Sequence, residues 1–114
     1  MKIKALVVKQ PWADLIAAGF KTIETRTWTI KHRGPVLIVV ARSPKAPNSG
    51  QAICMVDLYG CRPMTARDEE RACLEVYPRA NSWLIRNVRD ITPFPVVGRL
   101  GLFEIQIPPG VYFK

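Results

Sequence analysis

The sequence predicts an α+β fold that is mainly β: a small barrel of five or six strands with two short helices. Apolar, β-branched runs recur along the chain, tight loops rich in Pro, Gly and Asn separate them, and only two segments carry helical spacing. A length of 114 residues suits one domain, residues 1–114, built round one core.

Ile3 to Val8 is apolar and β-branched, which predicts the first strand. Pro11 suits the first position of a helix, Trp12, Leu15 and Ile16 recur at helical spacing, and Asp14 complements the positive N-terminal end. Gly19 falls where a residue just past a helix end adopts positive φ, so a helix is expected over 11–18. Thr22 to Trp28 is rich in Thr and Ile, without Gly or Pro, and reads as strand. Lys31-His32-Arg33-Gly34-Pro35 forms a basic turn, and Val36 to Ala41 is a strand apolar on both faces. Arg42 to Gly50, with Pro44, Pro47, Asn48 and Gly50, is a loop, either a solvated linker or a binding loop that uses Arg42, Ser43 and Lys45.

Gln51 to Tyr59 is again β-like. Thr65 and Asp68 have the spacing of a capping box, and Asp68, Glu69 and Glu70 crowd a first turn as the helix dipole prefers. This second helix reads as a polar surface helix with an Arg71–Glu75 pair. Ser82 to Val88 and Val96 to Ile107 are the last expected strands, linked by Thr92-Pro93-Phe94-Pro95. In the second of these, Phe103, Ile105 and Ile107 alternate with Glu104 and Gln106, as on a half-buried strand.

Composition narrows the function classes. Hydrophobic residues make up 48% and charged residues 23%, ordinary for a water-exposed globular chain. Residues 2–8 do not read as a signal peptide, and the apolar run 36–41 is too short to cross a bilayer, so a cytoplasmic protein without membrane attachment is expected. Cys54, Cys61 and Cys73 form no even disulfide framework, show no C-x-x-C spacing, and with the single His32 make a poor zinc set; no metal or cofactor is implied. The net charge of +8 is uneven: residues 1–45 carry nine basic and two acidic side chains, and residues 46–114 carry eight and seven. A basic half points to an anionic partner, with RNA or a nucleotide first, although solubility alone also explains a positive charge.

The stretch GFKTIETRTW, residues 19–28, concentrates chemistry. Alternation along a strand puts Glu24, Arg26 and Trp28 on one face, with Glu24 and Arg26 about 7 Å apart at Cα. Lys21 lies where the chain leaves the helix, so alternation does not fix its direction. A Glu accepts hydrogen bonds from a base amino group, Lys and Arg meet phosphate, and a Trp such as Trp12, Trp28 or Trp83 offers a stacking face. The plainer reading is an exposed strand whose mixed charges keep its edge from pairing. Trp83 and Trp12 read first as core residues.

Gly19-Phe20-Lys21-Thr22-Ile23-Glu24-Thr25-Arg26 resembles the G-x-K-x-x-E-x-R signature of the ASCH domain family. Gln10-Pro11-Trp12-Ala13 resembles that family's Q-P-W/Y-A helix, residues 50–57 its central strand, and Ser82-Trp83-Leu84-Ile85 with Pro95 and Gly98 its closing segment. The resemblance implies a PUA-like β-barrel with a cleft beside the motif that binds RNA or nucleotides. By position it makes Lys21, Glu24 and Arg26 the site residues; Trp12, Trp28, Arg42, Ser43 and Lys45 are further candidate ligand contacts on their own chemistry. Some members are amidohydrolases that deacetylate N4-acetylcytidine, and others are described as ribonucleases or coactivator modules. In the amidohydrolases the motif Lys works with a Thr at the position that Glu24 occupies here. An enzyme built on this chain would instead use Lys21 and Glu24, with Glu24 as general base on water and Lys21 or Arg26 at the oxyanion.

Overall fold

The computed structural model describes residues 1–113. Along the chain run β1 (Lys2–Val8), α1 (Trp12–Ala17), β2 (Ile23–Arg26), β3 (Gly34–Val40), β4 (Gln51–Pro63), a 3-10 turn (Ala66–Asp68) that continues into α2 (Glu69–Ala72), β5 (Asn81–Pro95) and β6 (Leu102–Gln106). All six strands join one sheet in the order β2-β5-β4-β3-β1-β6. β1 and β3 are parallel, with Lys4 opposite Val36 and Val8 opposite Val40; every other neighbouring pair is antiparallel.

The apolar run in β3 explains why the sheet has a core on each face, beside a smaller cluster of Ile23, Met64, Ala72 and Ala80. Val36, Ile38 and Val40 face one cluster with Leu6, Val8, Ile16, Val56 and Trp83. Leu37 and Val39 face another with Ile3, Ala5, Met55, Phe94 and Phe103. A strand with period-2 alternation and no polar residue must be covered on both sides, and each such side chain contributes about 2 kcal/mol by leaving water. Trp83 is fully buried, as its core reading required.

The hydrogen-bonded order ends at β2 and β6, so the sheet does not close into the expected barrel and leaves a seam. Toward it, Arg26 on the edge strand β2 donates from Nη2 to the Val7 carbonyl of β1, the neighbour of β6, at 2.8 Å.

Several elements differ from the sequence expectation for physical reasons. β2 stops at Arg26, because β5 offers partners only from Asn81 to Leu84, and Thr27 and Trp28 fall outside the strand. β5 runs unbroken through Thr92-Pro93-Phe94-Pro95, where a linker was expected. Its second half pairs along its length with β4, and on the other side it meets an isolated bridge, Ile91 with Phe113, so most of that side is an edge, which tolerates proline with no N–H to donate. Val96 to Gly101 is a connecting loop, with strand resuming only at Leu102. The expected Arg71–Glu75 pair does not form: α2 ends at Cys73 in the left-handed region (φ 58°), and Arg71 donates to Thr22 Oγ1 and Tyr59 Oη instead.

The segment before α2 is less superficial than its charges suggested. Asp68 is buried, accepts two hydrogen bonds from Arg62 at 2.6 and 2.8 Å, and accepts further ones from the Thr65 N–H at 3.1 Å and Ser82 Oγ at 2.9 Å. The bond to Thr65 is the acidic half of the expected capping box. The Arg62 guanidinium, chiefly, holds the Asp68 carboxyl well below its ordinary pKa. Stability from Asp68 is therefore fully present above about pH 4, the unfolded value, and is lost as pH falls toward the folded one. Asp68→Asn should cost about 2 kcal/mol at pH 7, the scale of hydrogen bonds to a charged group, since the Arg62 left behind still reaches solvent. Urea unfolding at pH 7 and pH 3 checks this: the gap between wild type and variant should narrow at the lower pH.

Candidate functional site

The motif residues divide into a buried anchor and an exposed hand. Lys21 is 1% exposed. Gly19, at φ +83°, turns the chain out of α1, and the Phe20 and Lys21 N–H groups both donate to the Leu15 carbonyl. The Lys21 side chain is thereby directed inward, where Nζ donates to the Ala72 carbonyl of α2 and lies 3.7 Å from Glu24 Oε1. Burial lowers the Lys21 pKa from its ordinary value, and the Glu24 carboxylate opposes that shift.

Glu24 is 6% exposed. Its Oε1 accepts the Thr25 N–H at 3.1 Å, and its Oε2 accepts Arg26 Nε at 3.2 Å and Nη2 at 2.8 Å. A carboxylate oxygen has two lone pairs, so Arg26 occupies both of those on Oε2. The alternation that put Glu24 and Arg26 on one face thus results in an ion pair between them. Arg26 also holds Val7, and its remaining nitrogen, Nη1, has no hydrogen-bond partner among the described residues. At 25% side-chain exposure, Arg26 lines the wall of a cavity.

The cavity has a volume of about 850 Å³ and sits at the C-terminal ends of the parallel strands β1 and β3. Val7, Val8, Val39 and Val40 contribute to its apolar wall. Lys9, Arg26, Arg42 and Arg99 bring four basic side chains to it, against one carboxylate, Glu24. Two half-buried aromatics line it as well: Trp12, whose Nε1 donates to the Cys73 carbonyl at 3.4 Å, and Tyr77, whose hydroxyl donates to Thr25 Oγ1 at 3.0 Å. The polar end of each ring is held by the protein.

Of the residues singled out by sequence, Trp12, Glu24, Arg26 and Arg42 meet at this cavity. Lys21 stands behind it, buried beneath Glu24. Ser43 and Lys45 are exposed on the following loop and do not line it. Trp28 lies elsewhere, edge to face with Trp83 at a centroid distance of 4.6 Å, and lines a separate concavity. Lys9, Tyr77 and Arg99 were not anticipated. Lys9 had a positional signal, since it directly follows the first strand; Tyr77 and Arg99 lie on loops with no periodicity to place them.

Gln10 has a structural part that its motif did not disclose. Its Oε1 accepts the Asp14 N–H at 2.9 Å, satisfying one of the open donors of α1. Its Nε2 donates to Asn48 Oδ1 at 3.1 Å, and Asn48 Nδ2 donates to Asp14 Oδ1 at 3.1 Å. This triangle pins the loop after β3, and so the surroundings of Arg42, to the start of the helix. No group of three or more His, Cys, Asp or Glu is placed to hold a metal ion among the described residues, and no described helix is long and apolar enough to cross a membrane.

Comparison with known proteins agrees with this architecture. The fold resembles the crystal structure of ASCH from Zymomonas mobilis, with a TM-score of 0.72 at 16% identity over 90% of this chain and 87% of that one. A single-site mutant of the same Zymomonas mobilis protein gives 0.67 at 15% identity over 93% and 91%. Among curated sequences, human "Activating signal cointegrator 1" is 40% identical over 42 residues, which is 37% of this chain and only 7% of that much longer relative. The model of the ASCH domain matches residues 6–95, which include the whole of the Lys21–Glu24–Arg26 motif and most of the cavity wall, and the chain belongs to the ASCH domain family.

Proposed function

We propose that this ASCH domain binds RNA or a nucleotide in the cavity beside its G-x-K-x-x-E-x-R motif. The observation that carries the reading is the composition of the wall: four basic side chains, two aromatics and an apolar floor surround a volume of about 850 Å³. That combination suits an anionic ligand with a flat apolar part, a base carrying phosphate. Arg26 Nη1 is the contact best prepared for it, because Glu24 and Val7 already fix the guanidinium plane and little is lost on ordering. Glu24 serves as the orienting group, and Lys21 as the buried cation behind it, 3.7 Å from Oε1. The family membership supports a nucleic-acid ligand.

The amidohydrolase reading has one observation in its favour, a Lys and a Glu at 3.7 Å beside a cavity. Their existing bonds oppose it. Lys21 lies buried and donates to Ala72, and Arg26 occupies both lone pairs of Glu24 Oε2, so only Oε1, which already accepts the Thr25 N–H, is open to a water.

Three outcomes are expected. Binding of a labelled single-stranded RNA, followed by fluorescence anisotropy, should weaken with salt with a log–log slope of about −3 if all four basic side chains meet phosphate; a flat dependence would sink the reading. Incubation with N4-acetylcytidine should release no cytidine by chromatography, and release that disappears in Glu24→Gln would establish the hydrolase instead. Lys21→Ala should cost about 3 kcal/mol in chemical denaturation, by emptying a buried site and leaving the Ala72 carbonyl without its donor, and Lys21→Met, which refills the space, should cost less.

A further inference from the structure

A second concavity, of about 550 Å³ and widely open to solvent, adjoins the first. The two share a wall: Leu100 and Gly101 line both. Beyond that wall lie Trp28, Lys4, Lys31 and His32. We propose that this concavity is a second nucleotide subsite, so that the chain takes a single-stranded oligonucleotide and not merely one nucleotide; the inference rests on the reading that the first cavity takes a nucleotide.

Trp28 is 39% exposed yet held in place. Its ring meets buried Trp83 at 85°, and its carbonyl accepts Trp83 Nε1 at 3.2 Å. Its own indole N–H has no partner among the described residues. A fixed, partly exposed ring with a free donor is a stacking platform that costs little to order. The charge has the sign that an oligonucleotide needs. Lys31 is exposed and makes no ion pair among the described residues, and His32 engages only the Pro35 carbonyl, at 3.2 Å. Lys4 faces Glu104 at 3.8 Å, a loose pair exposed to solvent, and no acidic side chain lines the concavity itself. On the shared wall, Leu100 is 100% exposed, an apolar side chain with nothing covering it. A strand with one base in the first cavity and the next on Trp28 has to pass over Leu100 and would remove it from water.

The same apolar strip without its lysines would suit a protein partner, and the charge decides between them. Titration of the protein with cytidine monophosphate and with a cytidine pentamer tests the subsite, using Trp28→Ala and Lys31→Glu. The pentamer should bind at least about tenfold more tightly than the monophosphate, and each variant should remove that advantage while leaving the monophosphate unchanged. Lys31→Glu alters only an exposed charge, so its result stands even if Trp28→Ala disturbs Trp83. Equal affinity for the two probes in the wild type, or a pentamer affinity untouched by both variants, overturns the second subsite and leaves the first cavity standing. Failure of both probes to bind overturns both assignments.

Discussion

The chain Ala72 carbonyl–Lys21–Glu24–Arg26–Val7 carbonyl is the constraint on which the rest of this structure depends. It crosses from α2 through β2 to β1, tying one edge of a sheet that does not close to the strand next to its other edge. Each link has an electrostatic reason. A buried ammonium needs a carboxylate, a buried carboxylate needs more than one donor, and the last donor, a guanidinium, has N–H groups left for a carbonyl and for a ligand. Removing the first cation therefore acts at the cavity, although Lys21 never touches it.

Topology places the cavity at the other end of that relay. β1 and β3 run parallel and end together at Val8 and Val40, and the loops that leave them diverge toward α1 and toward Arg42. Divergence opens a space that the valines floor and the β5–β6 loop covers. The Gln10–Asn48–Asp14 triangle stops the two loops from drifting apart. The basic residues thus come from four separate segments, and only their assembly makes the wall positive.

Much of this was legible in the sequence, and the failures are instructive. The first helix, its glycine exit and the doubly apolar β3 followed from periodicity, because each depends on a few neighbouring residues. The seam did not. Alternation correctly put Glu24 and Arg26 on one face, but whether two such charges hold a ligand or each other is set by Val7 and Ala72, many residues away. The prolines of 92–95 read as a linker, because a sequence does not state which half of a strand lies at an edge. Trp28 was grouped with the motif on the assumption that β2 continued, and β2 ends where β5 stops offering partners. Asp68 looked like a helix-dipole residue; its burial depends on Arg62 at the end of β4 and on Ser82 of β5, a strand that begins after it.

The strand order also has a consequence for the order of assembly. β2 pairs only with β5, which begins at Asn81, so the motif at 21–26 has no ladder until a segment more than fifty residues downstream is in place. Until then Lys21 has no Ala72 carbonyl and no apolar surroundings, and ordinary hydration keeps both it and Glu24 in water. Closing so long a loop is entropically costly, and contacts of this separation slow folding. During synthesis on the ribosome the signature residues would emerge early and wait, and the site would come into being in one late step together with the docking of β5.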